Sequence, residues 1–367
     1  MNSGQKKIII IVLIIALLSA AGTILYLILG RTSEKEGLQR HQAESQMGLS
    51  ASPGPTKNPH ADKVRSVFTG KWINKKKAGK RCYAVMINNI GYAFQRQMGT
   101  SKADILYEAL AEGGITRMMA VYEDVSKVKK IGSVRSARHY YAQFAKEWDA
   151  IFCHFGHTKY AVSKMKKLGT DNLSGLSAIG GIVYARDRSI VAPHNVFTNG
   201  KKLKNGAKKL KYSWKRNETA MAKHFQFYEK NTPLTNGKKA NHITIPFSAY
   251  STCKLKYDAD KGKYMKYEYD QKHMDCYYKK QLSFKNVIIQ FVKEKNIDHN
   301  GYQTMSLNAD KGTGYYYTNG KKTAITWSRN EKANKMEYYD TEGNLLFVNP
   351  GKTYIAVYPK DRSNLIK

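Results

Sequence analysis

One stretch near the start of the chain limits its architecture more than any other feature. Between Ile8 and Gly30 the sequence reads IIIIVLIIALLSAAGTILYLILG, twenty-three residues without a charged side chain. As a helix this run would extend about 34 Å, enough to cross a hydrocarbon core of about 30 Å. A cleavable signal has a shorter apolar run that ends in small residues. Small residues occur at 19–21, but the apolar sequence continues beyond them. The sequence therefore predicts an uncleaved transmembrane signal-anchor over residues 1–30.

The next region is polar. Residues 31–65 contain Pro53, Pro55 and Pro59 and few large apolar side chains, a composition typical of a flexible linker. Basic residues lie on both sides of the apolar run, so their distribution does not decide the topology. A short head followed by one apolar segment is typical of an export signal, which favours an extracytoplasmic position for the remaining chain.

Two patterns divide the rest of the sequence. Over residues 66–212, short apolar runs alternate with helical patterns and glycine-bearing turns, which predicts an α/β domain. Over residues 235–360, short strand patterns are separated by turn signals such as Asn319-Gly320, which predicts a mostly antiparallel β (α+β) domain. In the first domain the predicted strands cover 83–87, 115–122 and 150–154, and the predicted helices cover 101–110, 134–148 and 159–168.

The chain is strongly basic. Lys and Arg together number 62 against 28 acidic residues, a formal net charge of +34. Such a surface attracts polyanions, among them nucleic acid, acidic lipid headgroups and phosphate-rich wall polymers. A lysine-biased proteome would produce the same excess, since Lys supplies 49 of the 62 charges. Residues 201–223, with nine basic side chains and the single acid Glu218, are either a solvated helix or connector or a stripe that binds polyanions.

The stretch IGSVRSAR at 131–138 is the main candidate for ligand binding. A Gly-Ser turn is predicted to begin a helix there, where free backbone N–H groups favour anions. Arg135 and Arg138 would be neighbours on one helix face. Arginine offers planar, bidentate donors, so these residues with Arg117 are predicted to hold a carboxylate or phosphate. The alternative is an internal salt bridge, for example to Glu112 or Asp187.

Catalytic candidates are fewer. Glu112 adjoins a glycine turn, and Glu108 stands four residues earlier, so both would share one side of the predicted helix. Paired carboxylates can serve as acid and base, but nearby arginines favour a structural use. Glu112 and His154, which ends a predicted strand, are the catalytic candidates. A late loop adds three candidates for ligand binding: Arg186, His194 and Asn195.

The sequence gives little support for a metal site, a cofactor site or a disulfide scaffold. The spacing of His154 and His194 is not that of metal ligands, and no metal is predicted. The sequence has no Walker loop, dinucleotide fingerprint or nucleophile elbow, and no cofactor is predicted. The four cysteines are too few and too scattered for a disulfide scaffold. In an exported chain Cys253 and Cys276 would be able to close a loop, and free buried thiols are the alternative.

Several of these stretches resemble the YerB-like lipoproteins of Gram-positive bacteria, a family built from domains of unknown function. The resemblance is carried by FTG at 68–70, AVMINN at 84–89, SKADILYEALAEGGITR at 101–117, IGSVRSAR at 131–138, APHN at 192–195, TWSR at 326–329 and NPGKT at 349–353. It implies an extracytoplasmic, membrane-attached protein and supplies no catalytic residue. Members of that family generally carry a modified cysteine after the signal, whereas here the first cysteine is Cys82. They also usually have Asp where this chain has Asn88.

These observations favour a cell-envelope protein that binds an anionic ligand, a wall polymer or a protein partner. The alternative is an envelope hydrolase acting on glycan or peptide through Glu112 and His154. Nucleic-acid binding is permitted by the charge, but no recognised binding fold supports it and the predicted location opposes it. The predicted partners are thus the membrane, through residues 8–30, and an anionic component of the envelope.

Overall fold

The computed structural model describes residues 60–367, within which Asp62–Lys367 form one compact unit. The predicted membrane helix over 8–30 and most of the predicted linker lie outside the described residues. Within residues 60–367, no helix is long and apolar enough to span a membrane. The last residues of the predicted linker, Lys63–Arg65, form a strand and not a flexible segment.

Strands predominate over helices in the described part of the chain. The strands of the first half are β1 (Lys63–Arg65), β2 (Trp72–Asn74), β3 (Tyr83–Asn89), β4 (Ile105–Leu110), β5 (Thr116–Tyr122), β6 (Ile131–Gly132), β7 (Ile151–His154), β8 (Asn172–Ser174), β9 (Ala185–Arg186) and β10 (Val196–Thr198). The strands of the second half are β11 (Gln226–Phe227), β12 (Lys238–Lys239), β13 (His242–Pro246), β14 (Thr252–Asp258), β15 (Lys263–Glu268), β16 (Gln271–Lys272), β17 (Met274–Asp275), β18 (Lys280–Gln281), β19 (Ser283–Phe284), β20 (Asn286–Asn296), β21 (Gln303–Ser306), β22 (Ala309–Thr318), β23 (Lys321–Asn330), β24 (Lys335–Tyr339), β25 (Phe347–Val348) and β26 (Thr353–Pro359). The helices are α1 (Gly91–Phe94), α2 (His139–Glu147), α3 (Lys159–Leu168), α4 (Gly180–Val183) and α5 (Gly200–Lys209). Short 3-10 helices occupy Lys75–Lys77, Thr100–Lys102, Glu112–Gly114 and Lys360–Leu365.

A mixed sheet of twelve strands forms the centre of the fold. Its order is β12-β23-β22-β20-β26-β4-β5-β3-β7-β8, with β21 paired to β20 and β24 paired to β23. Strand β26 lies parallel to β20 on one side and to β4 on the other, so both halves of the sequence contribute to one sheet. Strands β3, β4, β5 and β26 are buried along their whole length. Burial on both faces explains why they are nearly continuous apolar runs.

The two faces of this sheet are covered by different elements. On one face Tyr107 of β4 stacks on Phe144 of α2, with ring centroids 4.7 Å apart. On the other face lies a smaller sheet of the order β13-β14-β15-β16, with β19 paired to β15. There the Nζ atom of Lys266 lies 3.1 Å from a carboxylate oxygen of Glu108. The neighbouring side chains of Tyr107 and Glu108 on β4 therefore pack against opposite layers, because side chains alternate between the two faces along a strand.

Most of the predicted elements are confirmed. Strands β3, β5 and β7 and helix α3 lie where the sequence places them, and the second half is β-rich. The Asn319-Gly320 pair joins β22 to β23, with positive φ at both residues as a tight hairpin turn demands. Helix α5 covers the first part of the basic stretch over 201–223 and buries Leu203 while its lysines face outward.

The predicted helix over 101–110 is wrong, because Ile105–Leu110 form β4. The backbone amide and hydroxyl of Ser101 donate to Asp275 at 2.9 and 2.7 Å and do not cap a helix. The following apolar run pairs with β5 on one side and β26 on the other. A short apolar run suits a buried strand as well as a buried helix, and only the long-range partners decide between them. The first half is thus richer in strand than the predicted α/β domain.

Candidate functional site

The segment 131–138 runs in extended conformation across the carboxyl ends of β3 and β7. The amide of Arg135 donates to the carbonyl of Met86 at 3.2 Å, and its own carbonyl accepts from the amide of Phe155 at 3.0 Å. The prediction of a helix start at the Gly-Ser turn is therefore wrong. Helix α2 begins one residue after Arg138, which is its extended N-cap. Arg135 and Arg138 do not share a helix face, and bonds to two strand ends hold Arg135 in place.

Glu112 binds two of the predicted arginines. It lies in the tight turn between β4 and β5, and its carboxylate accepts from Nε and Nη2 of Arg138 at 2.8 and 2.5 Å and from Nη2 of Arg117. Burial would raise the pKa of Glu112, but the charges of Arg117 and Arg138 outweigh it and hold that pKa at about 2. The internal salt bridge is therefore the arrangement present for Arg117 and Arg138. Because Glu112 stays ionised, it is poorly suited to act as a general acid.

Arg135 differs from its two neighbours. Its Nη1 atom donates to the carbonyl of Pro193 at 3.1 Å, and its buried Nε atom has no hydrogen-bond partner among the described residues. No carboxylate of residues 60–367 lies within ion-pair distance of it. Burial and the nearby charge of Arg138 both lower the pKa of Arg135, although Glu112 opposes them. Arg135 thus offers a positive charge that the described residues balance only at longer range.

The loop that follows β9 completes this surface. His194 Nδ1 lies 2.8 Å from Nδ2 of Asn88, at the end of β3. Asn195 accepts a hydrogen bond from Arg186 at 2.7 Å, and the Arg186 guanidinium lies 4.8 Å from the ring centroid of Phe155. The predicted residues Arg135, Arg186, His194 and Asn195 therefore come together.

Arg96 also belongs to this surface, although no pattern in the sequence pointed to it. Its guanidinium lies 4.2 Å from the ring centroid of Tyr92, whose ring centroid is 5.1 Å from that of His194. Burial, Arg135 and Arg96 together lower the pKa of His194, which favours its neutral ring. No carboxylate within the described residues pairs with Arg96. The arginine edge is defined here as Arg96, Arg135 and Arg186 with Asn88 and His194.

His154 belongs to a different environment. The side chain is fully buried, with Nδ1 2.8 Å from the carbonyl of Gly156 and Nε2 3.3 Å from the Asn172 side chain. Burial lowers the pKa of His154 to about 4. Its edge lines a cavity with His157, Asn172 and Ser174 on the side of β8. Glu112 and His154 are thus engaged by separate partners and do not form an acid–base pair.

A buried ionic cluster, also missed from the sequence, surrounds Glu108. Lys266 lies 3.1 Å from Glu108, pairs with Glu268 and lies 3.1 Å from Nδ1 of His273. Burial and the charge of Glu268 raise the pKa of Glu108 to about 7 in spite of Lys266, whereas Lys266 and His273 lower the pKa of Glu268 against the effect of burial. One ammonium group therefore serves two carboxylates, of which Glu108 is the weaker acid. The expected shared helix face of Glu108 and Glu112 does not exist.

Glu108, Glu268 and Cys253 are close enough together to hold a metal ion. The Lys266 ammonium already lies against both carboxylates, and burial raises the pKa of the Cys253 thiol, so the donors do not suit a cation. All four cysteines are free thiols, and the Cys253–Cys276 disulfide is absent from the described residues. The alternative of free thiols is the one that the structure supports.

Comparison with known proteins places the chain in a family. Residues 68–213 match the description "Protein of unknown function (DUF3048) N-terminal domain", and residues 243–355 match the corresponding C-terminal domain. A Bacillus subtilis protein named "Putative lipoprotein YerB" is 28% identical over 314 residues, which cover 82% of this chain and 87% of that protein. The crystal structure of YerB from Bacillus subtilis superposes with a TM-score of 0.70 at 26% identity, covering 82% of this chain and 98% of that one. The chain belongs to the YerB-like DUF3048 family, with both of its domains present in order.

Proposed function

We propose that this protein is an extracytoplasmic, membrane-attached component of the cell envelope that binds an anionic group at the arginine edge. The location is supported by the apolar run over residues 8–30 and by the name of the Bacillus relative, a lipoprotein. An anchor helix would take the place of the lipid-modified cysteine, because the first cysteine of this chain is Cys82.

The observation that carries the binding proposal is the contrast between Arg135 and its neighbours. Arg117 and Arg138 share an ion pair with Glu112, whereas Arg135 has no carboxylate at ion-pair distance among residues 60–367. A guanidinium stays charged at any physiological pH and offers planar donors that match a carboxylate or phosphate. Such a charge, held by backbone bonds at strand ends, is suited to bind an anion from outside the chain.

The position of the site supports the same proposal. Strands β3, β7 and β8 are parallel, and β5 runs antiparallel beside β3. In the sheet, β4 and β5 lie on one side of β3, and β7 and β8, which follow them in the chain, lie on the other side. The chain therefore changes side at β3, where Asn88 and Arg135 lie. Ligands of open mixed sheets commonly bind beyond the carboxyl ends of strands at such a point. The Glu112 salt bridge stabilises this site, because it connects the β4–β5 turn to the segment 131–138, which carries Arg135.

A binding assay on isolated envelope material tests the proposal. The double variant Arg96→Gln/Arg135→Gln removes two charges without touching Glu112, and Lys238→Gln/Lys239→Gln removes two exposed charges from the edge strand β12. Cosedimentation of the full-length, detergent-purified chain with envelope fragments should weaken at least tenfold in the arginine variant and hardly at all in the lysine control. The dependence on salt should also become shallower. Equal binding by both variants would remove the arginine edge from the proposal.

This geometry does not support the alternative of an envelope hydrolase. Glu112 is ionised and bound by two guanidinium groups, and His154 is turned toward Asn172 and Gly156. An acid and a base must be able to reach the same substrate atoms. We therefore restrict the proposed function to binding.

A further inference from the structure

A second basic site is built from residues other than those of the arginine edge. A cavity of about 450 Å³ is lined by six segments: the loop before β2, the 3-10 helix at Thr100–Lys102, Asn231, the β14–β15 turn, residues 280–285 and the turn before β26. Six lysines line it against one carboxylate, that of Asp260: Lys71, Lys261, Lys263, Lys280, Lys285 and Lys352. Volumes of 300–1,000 Å³ are typical of small-molecule sites.

The charges in this cavity are not balanced by the described residues. Lys261 pairs with Asp258, but the other five lysines have no carboxylate of residues 60–367 within ion-pair distance. Lys285 donates to the Gly262 carbonyl at 3.1 Å and to Asn319 at 2.5 Å. Both acceptors are neutral, so they accept hydrogen bonds from Lys285 without balancing its positive charge. An ammonium group has three donors, and Lys285 retains one for a ligand.

Two of the lysines are withdrawn from solvent, and this separates the cavity from an ordinary basic surface. Lys285 is only 9% exposed, and Lys352 is partly buried with its ammonium bound to the Ser101 carbonyl. Burial lowers the pKa of Lys352 to about 8, and Lys280 and Lys71 add to that effect although Asp104 opposes it. A lysine-rich composition would spread exposed ammonium groups over the surface, since lysine is seldom buried unless paired. Here like charges converge on one half-open cavity.

The NPGKT motif at 349–353 builds the wall of this cavity. A Cβ atom on Gly351 would lie 2.4 Å from Cβ of Lys285, so only glycine lets the turn pack against that lysine. Asn349 fixes the same turn, with its amide side chain donating to the Thr232 carbonyl at 2.7 Å. Thr100, which also lines the cavity and is 2% exposed, has a hydroxyl without a hydrogen-bond partner among the described residues. The motif thus places Lys352 on the wall of the cavity and packs its turn against Lys285, and the Thr100 hydroxyl adds an unused polar group to the lining.

We infer that this cavity binds an anion that carries two or more closely spaced phosphate groups, either free or as successive groups of a phosphodiester chain. Lys352 with Lys71 and Lys280 would take one phosphate, and Lys285 with Lys263 would take the next, because these are the lysines whose charges act on one another. Lysine acts as a point charge with rotatable donors, which suits phosphate oxygens in several orientations. A single carboxylate would leave most of the five charges unmatched.

Calorimetric titration of the full-length, detergent-purified chain with inorganic tripolyphosphate tests the inference. The rim variant Lys263→Gln/Lys280→Gln changes two exposed side chains and should fold normally, with an unchanged unfolding temperature as the check. We expect it to bind tripolyphosphate about tenfold more weakly than the parent, whereas Lys238→Gln/Lys239→Gln, of equal net charge, binds as the parent does. Arg96→Gln/Arg135→Gln should also leave this affinity unchanged, so the two sites are tested separately.

Two further titrations identify the ligand class. A glycerol phosphate oligomer that competes with tripolyphosphate would assign the cavity to a phosphodiester chain, and failure to compete would assign it to a free polyphosphate anion. Poly-glutamate serves as a polyanion without phosphate and should compete poorly. The inference is overturned if tripolyphosphate does not bind at low salt, if the rim variant and the lysine control bind equally, or if poly-glutamate competes as well as the phosphates.

Discussion

Replacing Glu112 by Gln should destabilise the protein markedly, although Glu112 stands in a surface turn. The side chain of Glu112 is 26% exposed, while those of Arg117 and Arg138 are only 2% and 6% exposed. The variant keeps the shape of the side chain but leaves two neighbouring guanidinium groups without their shared carboxylate. Removing one partner of a buried pair typically costs about 3–5 kcal/mol. The lowering of the Glu112 pKa from 4.5 to about 2 independently corresponds to about 3 kcal/mol.

Thermal unfolding by circular dichroism measures this effect. In a protein of this size a loss of about 3 kcal/mol should lower the unfolding temperature by roughly 5 °C. Asp270→Asn is the matched control, because it also removes one negative charge but from a side chain that is 83% exposed. The unfolding temperature of that control should stay close to that of the parent.

Two additional readouts separate electrostatics from a packing fault. Glu112 has a lowered pKa in the folded protein, so its contribution is complete above pH 4.5 and is lost as the pH falls toward 2. The difference between parent and Glu112→Gln should shrink over that interval. Sulfate should also stabilise the variant more than the control, since it can bridge the two freed guanidinium groups. A loss below about 1 kcal/mol, or a difference that does not change with pH, would refute the reasoning.

Three other outcomes follow from buried groups. Burial lowers the pKa of His154 and of His273 from 6.5 to about 4, so their contribution to stability is complete above pH 6.5 and is lost as the pH falls toward 4. Near pH 5 each histidine should lower the free energy of unfolding by about 2 kcal/mol. A denaturant midpoint that is constant from pH 7 to pH 5 would contradict this. Lys266→Met leaves Glu108 and Glu268 facing each other without their cation, and chemical denaturation should show a loss of about 3–5 kcal/mol, whereas an unchanged midpoint would mean that Lys266 is dispensable. A thiol reagent should modify Cys276, which is partly exposed, in the native protein, and the other three cysteines, all fully buried, only on unfolding; modification of all four at one rate would contradict the packing.

The sequence predicts those parts of the fold that depend on local pattern. Strands β3, β5 and β7 are apolar runs bounded by turn residues, and helix α3 carries both a Thr158 cap and a Gly169 stop. Strand β4 is the exception, because its apolar run has no local feature that separates strand from helix. Its identity depends on β5 and on β26, and β26 lies more than two hundred residues away in the chain.

In the candidate sites, too, some residues are predicted by local sequence and others are brought together only by the fold. The stretch around Arg135 and the loop at His194 are distinctive in sequence, and the salt bridge with Glu112 is one of the alternatives that the residues allow. Arg96 carries no local signal, since only the packing of Tyr92 on His194 brings it to the edge. The lysine cavity cannot be predicted from the sequence, because its walls come from six separate segments in a chain where lysine is the commonest charged residue.

The position of β26 has a consequence for how the protein acquires its structure. This strand follows every other described strand in the chain, yet it occupies the middle of the sheet, between β20 and β4. During synthesis from the amino end, β4 must therefore wait with one edge unpaired until the final strand emerges. Such non-local pairing slows folding and leaves strand edges open to aggregation. In the envelope location proposed above, the β4 edge would stay open until β26 had also been translocated, so assistance from a holding chaperone would matter most for that edge.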